Sequence, residues 1–159
     1  MTVNMGIIYF TVERGSMVDP FFCALEKRFS HTRIDVFTKQ KDLITKLKMQ
    51  HSSSGDIIIL RAVSEETLID IYFMCHHLRS LPSILILPDS EEHTVALGLR
   101  TKINFLFHRD SPIDDVMFVT GQFLDEKKTV IPINGKRNKT RENDYFDSPS
   151  HGGCRVSNL

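Results

Sequence analysis

Cysteine is scarce in this chain of 159 residues, and its scarcity excludes one class of protein. The three cysteines, Cys23, Cys75 and Cys154, are odd in number and scattered, which does not match the disulfide framework of a small secreted domain. Cys23 and Cys75 stand in apolar helical patterns, which predicts buried thiols. Cys154 falls in a polar segment, where we expect an exposed thiol.

The chain also lacks an excess of charge and any long apolar run. Its 20 basic residues equal its 20 acidic residues, so no overall basic field attracts nucleic acid or anionic lipid. No apolar run approaches the roughly 20 residues of a membrane span. The start, Met1–Asn4, has neither the charged region nor the apolar stretch of a signal peptide. We therefore expect a cytoplasmic protein that contacts no membrane.

Motifs that hold metals or phosphates are missing as well. The chain has no His-x₃-His and no Cys-x₂-Cys pair, and the neighbours His76 and His77 point about 100° apart on a helix. The segment Glu13–Ser16 contains a single glycine, which supports a phosphate-binding loop only weakly. We expect neither a metal nor a cofactor.

What the chain does contain is an alternation of strand and helix patterns, repeated five times. Short apolar runs predict strands, and apolar residues at helical spacing predict helices. The predicted strands are Gly6–Phe10, Ile34–Phe37, Asp56–Leu60, Ser83–Leu87 and Ile103–Phe107. The predicted helices run over about Asp19–Phe29, Lys41–Met49, Ser64–Leu78, Ser90–Arg100 and Ile113–Asp125.

Capping residues support four of these helices. Asp19 is a predicted N-cap before Pro20, and Ser64 opens a segment close to a capping box. Ser90 and Ser111 are the predicted caps of the last two helices.

This alternation predicts an α/β fold of the flavodoxin-like (βα)5 type. Five parallel strands in the order 2-1-3-4-5 would lie between two layers of helices, as a three-layer sandwich. Residues 1–127 are expected to form the domain. Residues 128–159, poor in aliphatic side chains, are expected to be a flexible tail or linker.

In such sheets the functional site lies at the carboxyl ends of the strands. The residues expected at that edge are Thr11, Val12, Glu13, Arg61, Leu87 and His108.

From about Met5 to Lys127, the strand order and spacing resemble the receiver domain of two-component response regulators. Receivers place an acidic pair that binds Mg²⁺ after the first strand, and Thr11 and Val12 occupy that place, with Glu13 as the lone acid. The phosphate acceptor corresponds to Arg61. The hydroxyl residue of strand four corresponds to Leu87, the lysine after strand five to His108, and the switch aromatic to Phe105.

The resemblance therefore implies a degenerate receiver, or pseudo-receiver. A guanidinium cannot accept a phosphoryl group, and it would repel Mg²⁺. We expect a non-enzymatic signalling module that acts by protein–protein interaction. In receivers the face of the fourth helix, fifth strand and fifth helix mediates dimerisation. The matching candidates for binding a partner or a second copy are Val95, Leu99, Phe105, Phe107 and Met117.

Two other functions stay open at this point. A flavodoxin-like sheet can host a small-molecule binder or an enzyme, given a polar pocket at the strand ends. The chain could instead be the regulatory arm of a transcription factor complex, with DNA binding supplied by a partner.

Two local hypotheses concern charged residues. Arg61 either forms an internal ion pair with Glu13 or reaches solvent from its loop. The basic run Lys136–Arg141 is expected to be a solvated part of the tail and not a nucleic-acid site, because no aromatic residues are interleaved with it.

Overall fold

The computed structural model describes residues 5–12, 19–50, 55–78 and 81–128. Strands and helices alternate along them. The strands are β1 (Gly6–Thr11), β2 (Arg33–Phe37), β3 (Ile57–Arg61), β4 (Ser83–Leu87) and β5 (Phe105–His108). The helices are α1 (Pro20–Arg28), α2 (Gln40–Met49), α3 (Glu65–Met74), α4 (Glu92–Arg100) and α5 (Ile113–Lys128), and a 3₁₀ turn, Cys75–Leu78, extends α3.

The five strands form one parallel sheet in the order β2-β1-β3-β4-β5, as the alternation predicted. Tyr9 on β1 stands opposite Val36 on β2 and Ile59 on β3, so β1 is buried between two neighbours. Within the described residues, β2 and β5 are the edge strands. The flavodoxin-like fold is therefore confirmed.

The helices cover both faces of the sheet, and the strand period of two decides which side chain meets which layer. The face under α2, α3 and α4 is built from Ile8, Phe10, Ile58, Leu60, Leu85 and Leu87 with helix residues such as Leu43, Leu68 and Ile71. The face under α1 and α5 is built from Ile7, Tyr9, Ile57, Ile59, Ile84 and Ile86 with Phe21, Leu25, Val116, Met117 and Leu124. Central strands are thus apolar on both sides, as buried parallel strands are.

Four of the five strands differ from the prediction by one or two residues at an end, and the differences in β3 and β5 bear on the expected functional edge. Arg61 is the last residue of β3 and pairs with Ile86, whereas the sequence placed it just beyond the strand. Strand β5 begins at Phe105 and not at Ile103. The side-chain oxygen of Asn104 accepts from the backbone N–H of Ser83 at 2.9 Å. This side-chain bond replaces a backbone hydrogen bond between β4 and β5, so the backbone pairing starts one residue later.

Asp19 and Ser64 cap their helices as predicted, since Asp19 accepts from the N–H of Phe21 and Ser64 from that of Thr67. The prediction for Ser90 is wrong, because Glu91 is the N-cap of α4 and makes no side-chain capping bond. Asp89 accepts from the N–H of Glu91 at 3.0 Å.

The prediction of a buried Cys23 is also wrong, because its side chain is exposed. Phe21 and Leu25 form the buried stripe of α1, and Cys23 lies about 200° around the helix from Phe21. Cys75 is partly buried and its thiol lies 3.0 Å from the carbonyl oxygen of Ile71. Burial raises the pKa of the Cys75 thiol to about 11.

At the amino end of the sheet, Asp56 holds three segments together. Its side chain is 1% exposed and accepts from the N–H of Gly6 at 2.8 Å and from the guanidinium of Arg33 at 3.1 Å. The amide of Gln50, at the end of α2, donates to the same carboxylate. This Asp56 cluster joins the starts of β1, β2 and β3 away from the expected functional edge.

No helix among the described residues has both the length and the apolar character needed to cross a bilayer. Helix α5 continues to Lys128. The predicted tail beyond it, including Cys154 and the run Lys136–Arg141, lies outside the described residues.

Candidate functional site

The carboxyl ends of β1, β3 and β4 bring the candidate site together. Thr11 stands opposite Arg61, and Arg61 stands opposite Ile86 in the sheet register. Because strand side chains alternate, Tyr9, Arg61 and Ile86 project to the side of the sheet covered by α1 and α5. The site is therefore a corner between the strand ends and the first turns of those two helices.

Arg61 forms an ion pair there with Asp19. Its Nη1 lies 2.7 Å from Oδ1 of Asp19, and the two side chains are only 17% and 14% exposed. The chain forms this pair from neighbouring elements, because Asp19 is the N-cap of α1 and Arg61 ends β3. Arg61 is thus mostly buried and paired, contrary to the hypothesis that it simply reaches solvent. Glu13, the other partner considered for it, lies outside the described residues.

Among the residues that the structure describes, three donors point at Asp19. The hydroxyl of Tyr9 donates to Oδ2 at 2.6 Å, while Arg61 and the backbone N–H of Phe21 donate to Oδ1 at 2.7 and 3.0 Å. Charge-assisted bonds of this kind are stronger than neutral ones. Asp19 therefore ties the central strand β1, the end of β3 and the start of α1 into one unit, called here the Tyr9–Asp19–Arg61 cluster.

Tyr9 is the buried member of this cluster. Its side chain is fully buried, and its ring packs against Phe21 and Phe22 with centroids 5.5 and 6.0 Å away. Burial raises the pKa of the Tyr9 phenol far above its ordinary value, and the hydrogen bond and charge of Asp19 raise it further. Tyr9 consequently stays protonated at neutral pH and acts as a donor.

Two small cavities open beside the cluster. One, of about 110 Å³, is lined by Arg61, Ile86, His108 and Arg109 together with the first turns of α1 and α5. The other, of about 80 Å³, lies between Arg61, Val63 and Arg109. Ligand pockets for drug-sized molecules usually measure about 300–1,000 Å³. Within the described part of this edge, the available space suits an ion or a single side chain.

The remaining residues expected at this edge are spread around it. Thr11 is buried beside Arg61, whereas Val12 is partly buried against the core under α2, α3 and α4. Leu87 is fully buried and packs towards α4, where a Cβ added to Gly98 would stand 2.9 Å from its Cδ2. The structure thus brings together Thr11 and Arg61, and it turns Val12 and Leu87 to the opposite face.

His108 occupies the end of β5. Its Nδ1 lies 3.3 Å from the carbonyl oxygen of Asp89, and its backbone N–H donates to the Ser111 hydroxyl at 2.9 Å. Ser111, expected as a helix cap, therefore fixes the turn between β5 and α5. The next residue, Arg109, donates its N–H to the carbonyl of Leu87 at 2.8 Å, which holds this turn against β4.

The candidate interface residues differ widely in exposure. Leu99 is 65% exposed and Phe105 is 43% exposed, with the Phe105 ring edge-on to Phe123 at 5.4 Å. Val95 and Phe107 are partly buried against the core. Met117 is only 5% exposed and packs in the core under α1 and α5, so it cannot offer an apolar surface to a partner. Of the five candidates, Leu99 and Phe105 therefore offer exposed apolar side chains.

Tyr9, Asp19 and Arg109 complete the site, and none of them was predicted as a site residue from sequence. The sequence did contain a pattern that could have identified Asp19. It precedes Pro20 at the start of the helix that follows the first strand, so its carboxylate is expected near the carboxyl edge of the sheet. The signal for Tyr9 was weaker, because an aromatic residue in a buried strand is ordinarily a packing residue. Only the register of β1 with β3 shows that Tyr9 and Arg61 share a face.

The described residues contain no group of three or more His, Cys, Asp or Glu side chains placed to hold a metal ion. The rings of His76 and His77 lie close, with centroids 3.8 Å apart and planes tilted by 42°, but no third His, Cys, Asp or Glu among the described residues is placed to complete a site with them.

Comparison with known proteins finds the fold and nothing more specific. No family model matches the chain, and no curated protein matches it. A response regulator receiver protein from Pseudoalteromonas atlantica superposes with a TM-score of 0.55 at 15% identity, covering 77% of this chain and 98% of that one.

Two further solved structures are similar to the same extent. One, from Burkholderia pseudomallei, is named as pilus assembly-related and superposes with a TM-score of 0.54 at 10% identity, covering 79% of this chain and 93% of that one. The other, from Burkholderia thailandensis, is named as a pilus assembly protein, cpaE, with a TM-score of 0.53 at 10% identity and coverage of 76% and 98%. Together with the strand order, these likenesses show that the chain has the receiver fold.

Proposed function

We propose that this chain is a signalling or regulatory module that works without phosphorylation and acts by binding another protein. One observation carries the proposal. The guanidinium of Arg61 occupies the end of β3, where the resemblance to receivers calls for a phosphate-accepting carboxylate, and it is held 2.7 Å from Asp19. A guanidinium has no lone pair for a phosphoryl group.

The surroundings of Arg61 also disfavour the metal that such chemistry needs. Mg²⁺ requires several oxygen ligands in near-octahedral geometry. Asp19, a described carboxylate that contacts Arg61, already accepts from Tyr9, Arg61 and the N–H of Phe21. Binding a cation would require breaking the ion pair and exposing the cation to a guanidinium a few ångströms away.

A non-enzymatic role is supported by the size of the cavities. At about 110 and 80 Å³, the spaces beside Arg61 are well below the usual size of a substrate pocket. The alternative of a flavodoxin-like enzyme or small-molecule binder would need a pocket of that size at the strand ends, whereas the cavity of about 420 Å³ beside Tyr72, Arg100 and Asn104 lies away from them.

The proposed contact surface for the partner is the side formed by α4, β5 and α5. Leu99 and Phe105 are exposed there, and β5 is an edge strand. Exposed apolar side chains beside a strand edge are a common basis for association. The partner is another signalling protein or a second copy of this chain.

The phosphorylation arm of the test treats the protein with acetyl phosphate, or with beryllofluoride, in the presence of Mg²⁺. We expect no gain of a phosphoryl group by intact-mass measurement and no change in the amide ¹H–¹⁵N spectrum. A receiver with an intact aspartate, treated in parallel, controls for the reagents. A phosphoryl adduct or a receiver-like spectral change would contradict the proposal.

The partner arm compares affinity capture by the wild type and by Leu99→Asp. Phe118→Asp is the matched control, because Phe118 is 63% exposed on α5 but lies beside Ala24 and Arg28 of α1, away from Leu99 and Phe105. We expect one protein to be captured specifically by the wild type and the control and lost with Leu99→Asp. A strict monomer that captures nothing specific would remove the support for a binding module.

A further inference from the structure

Helix α3 presents an apolar stripe to solvent on the side away from the sheet. Phe73 is 67% exposed, Ile69 40% and Tyr72 39%, while Leu68, Ile71 and Met74 face the core. The Tyr72 and Phe73 rings contact each other edge to face at 5.5 Å. A helix in the middle of a layer ordinarily shows polar residues on its outer face, so this stripe requires an explanation.

The stripe lies at the centre of the α2–α3–α4 layer. The amide of Gln40 on α2 donates to the carbonyl of Asp70 at 3.3 Å, and His93 on α4 lies 3.7 Å from Glu65. These contacts place α3 between its two neighbours, so Ile69 and Phe73 stand at the middle of a broad helical surface. This position suits the centre of an interface better than its rim.

Charge along this surface changes sign from one end to the other. The starts of α3 and α4 carry exposed Glu65, Glu66, Glu91 and Glu92. Their far ends carry exposed His76, Arg100 and Lys102. Lys48, at the end of α2, lies near the same end: burial lowers the pKa of His77, and the charges of His76 and Lys48 lower it further. Because the strands are parallel, α3 and α4 run in the same direction, so their acidic starts share one end of the surface and their basic ends share the other. The helix dipoles, equivalent to about half a charge of opposite sign at each end, offset these charges only in part.

We propose that this surface binds a second copy of the same chain, with the two α3 helices packed antiparallel about a twofold axis. Rotation about such an axis lays the acidic end of one surface on the basic end of the other. When the twofold axis crosses the two α3 helices at the height of Ile71, Ile69 of one protomer faces the partner's Phe73. The same register brings Glu66 opposite the partner's His76.

The spacing of the residues supports this occupant. Glu66, Ile69, Phe73 and His76 follow one another at intervals of three, four and three, which is the spacing of a seam between two helices. An isologous contact needs one patch that is complementary to itself, and here the apolar centre and the two charged ends fulfil that condition. The chain's formal net charge of zero adds no overall repulsion between copies.

The proposed interface has to extend beyond α3. A stable interface removes about 800 Å² of surface from each partner, which is more than one helix face supplies. Met49 on α2, 74% exposed, and His93 on α4, which lies 3.7 Å from Glu65, extend the surface on either side of α3. The proposed interface is separate from the Leu99 and Phe105 surface, so the two proposals can fail independently.

The test measures the mass of the full chain in solution by light scattering and sedimentation over roughly a hundredfold range of concentration. The wild type is expected to dimerise. Phe73→Asp should raise the dissociation constant by roughly thirtyfold or more, the usual effect of losing an aromatic residue at an interface centre. Phe118→Asp and Leu99→Asp, at similarly exposed positions outside this surface, should leave the constant unchanged. Circular dichroism checks that each variant keeps its fold.

A charge exchange tests the register. Glu66→Lys should weaken the dimer by roughly two- to fivefold, and combining it with His76→Glu should restore affinity. A wild type that stays monomeric throughout the range overturns the proposal. A dimer lost with Leu99→Asp and kept with Phe73→Asp also overturns it and assigns self-association to the side of α4, β5 and α5.

Discussion

Tyr9 shows how a single buried hydroxyl connects strand packing to the charge at the sheet edge. Its ring lies in the core beside Phe21, and its hydroxyl donates to Asp19 at 2.6 Å. Without that donor, the described partners of Asp19 would be Arg61 and the backbone N–H of Phe21. The phenol therefore contributes both burial and a charge-assisted bond to the candidate site.

Replacing Tyr9 by Phe should lower the free energy of unfolding by about 1.5–3 kcal/mol at neutral pH, the contribution of a hydrogen bond to a charged group. Burial raises the pKa of Tyr9 in the folded state, so above the ordinary value of 10.0 the unfolded chain loses this proton first. Above that pH the wild type should lose up to about 1.4 kcal/mol of stability for each pH unit. Tyr9→Phe has no phenol at this position and should not show this loss.

Urea denaturation of both proteins between neutral pH and the alkaline range measures this difference. The stability gap should be constant below pH 10 and shrink above it. The contribution of Cys75, whose pKa is also raised, is the same in both proteins and cancels. A gap that stays constant through the alkaline range would show that Tyr9 does not hold its proton in the way described.

Among the elements, α3 combines a well-defined start with an unusual outer face. Ser64 caps the helix, with its hydroxyl accepting from the N–H of Thr67 at 3.2 Å and lying 3.0 Å from the Thr67 hydroxyl. Glu65 and Glu66 in the first turn favour the positive end of the dipole. The helix start is thus stabilised locally, which holds the exposed stripe in place.

Ser64→Ala should destabilise the protein by about 1 kcal/mol, because the N–H of Thr67 loses its acceptor. Thermal denaturation followed by circular dichroism should show the midpoint falling by roughly 3–5 °C. Ser64→Asp keeps an acceptor at the cap and serves as the control, with a midpoint close to the wild type. Equal losses in the two variants would mean that the capping bond is not the cause.

At the scale of the whole molecule, two polar clusters hold opposite ends of the sheet. The Tyr9–Asp19–Arg61 cluster joins β1, β3 and α1 at the carboxyl end. The Asp56 cluster joins β1, β2, β3 and the end of α2 at the amino end. Between the two clusters, the central strands are apolar on both faces, so a shift by one residue would still leave apolar side chains buried. The polar clusters therefore help to fix the strand register.

Asp56→Ala should lower the free energy of unfolding by about 2–3 kcal/mol, because the N–H of Gly6 and the amide of Gln50 lose a buried acceptor. Asp35→Ala is the matched control, since Asp35 pairs with the same Arg33 at 3.2 Å but is 29% exposed. It should cost less than about 1 kcal/mol. Urea denaturation would contradict this account if the two variants lost similar stability.

Local patterns were sufficient to predict most of the fold. Apolar runs located all five strands, and Asp19-Pro20 and Ser64 marked two helix starts where the structure has them. The boundaries of β3 and β5 were less certain, because they depend on partners across the sheet such as Ile86 and Asn104. Cys23 was misplaced because its neighbours in sequence are apolar, although it lies on the exposed side of α1.

The sequence by itself determined that strands and helices alternate five times, because helix and strand periods are local properties of the chain. From that alternation follow a parallel sheet and the expectation of a site at its strand ends. It also determined that an arginine stands at the end of β3. Only the tertiary structure decided that Asp19 is the partner of Arg61 and that Tyr9 completes the cluster. Those contacts join residues 10 and 42 positions apart, and their geometry depends on strand register and helix packing, which no local pattern encodes.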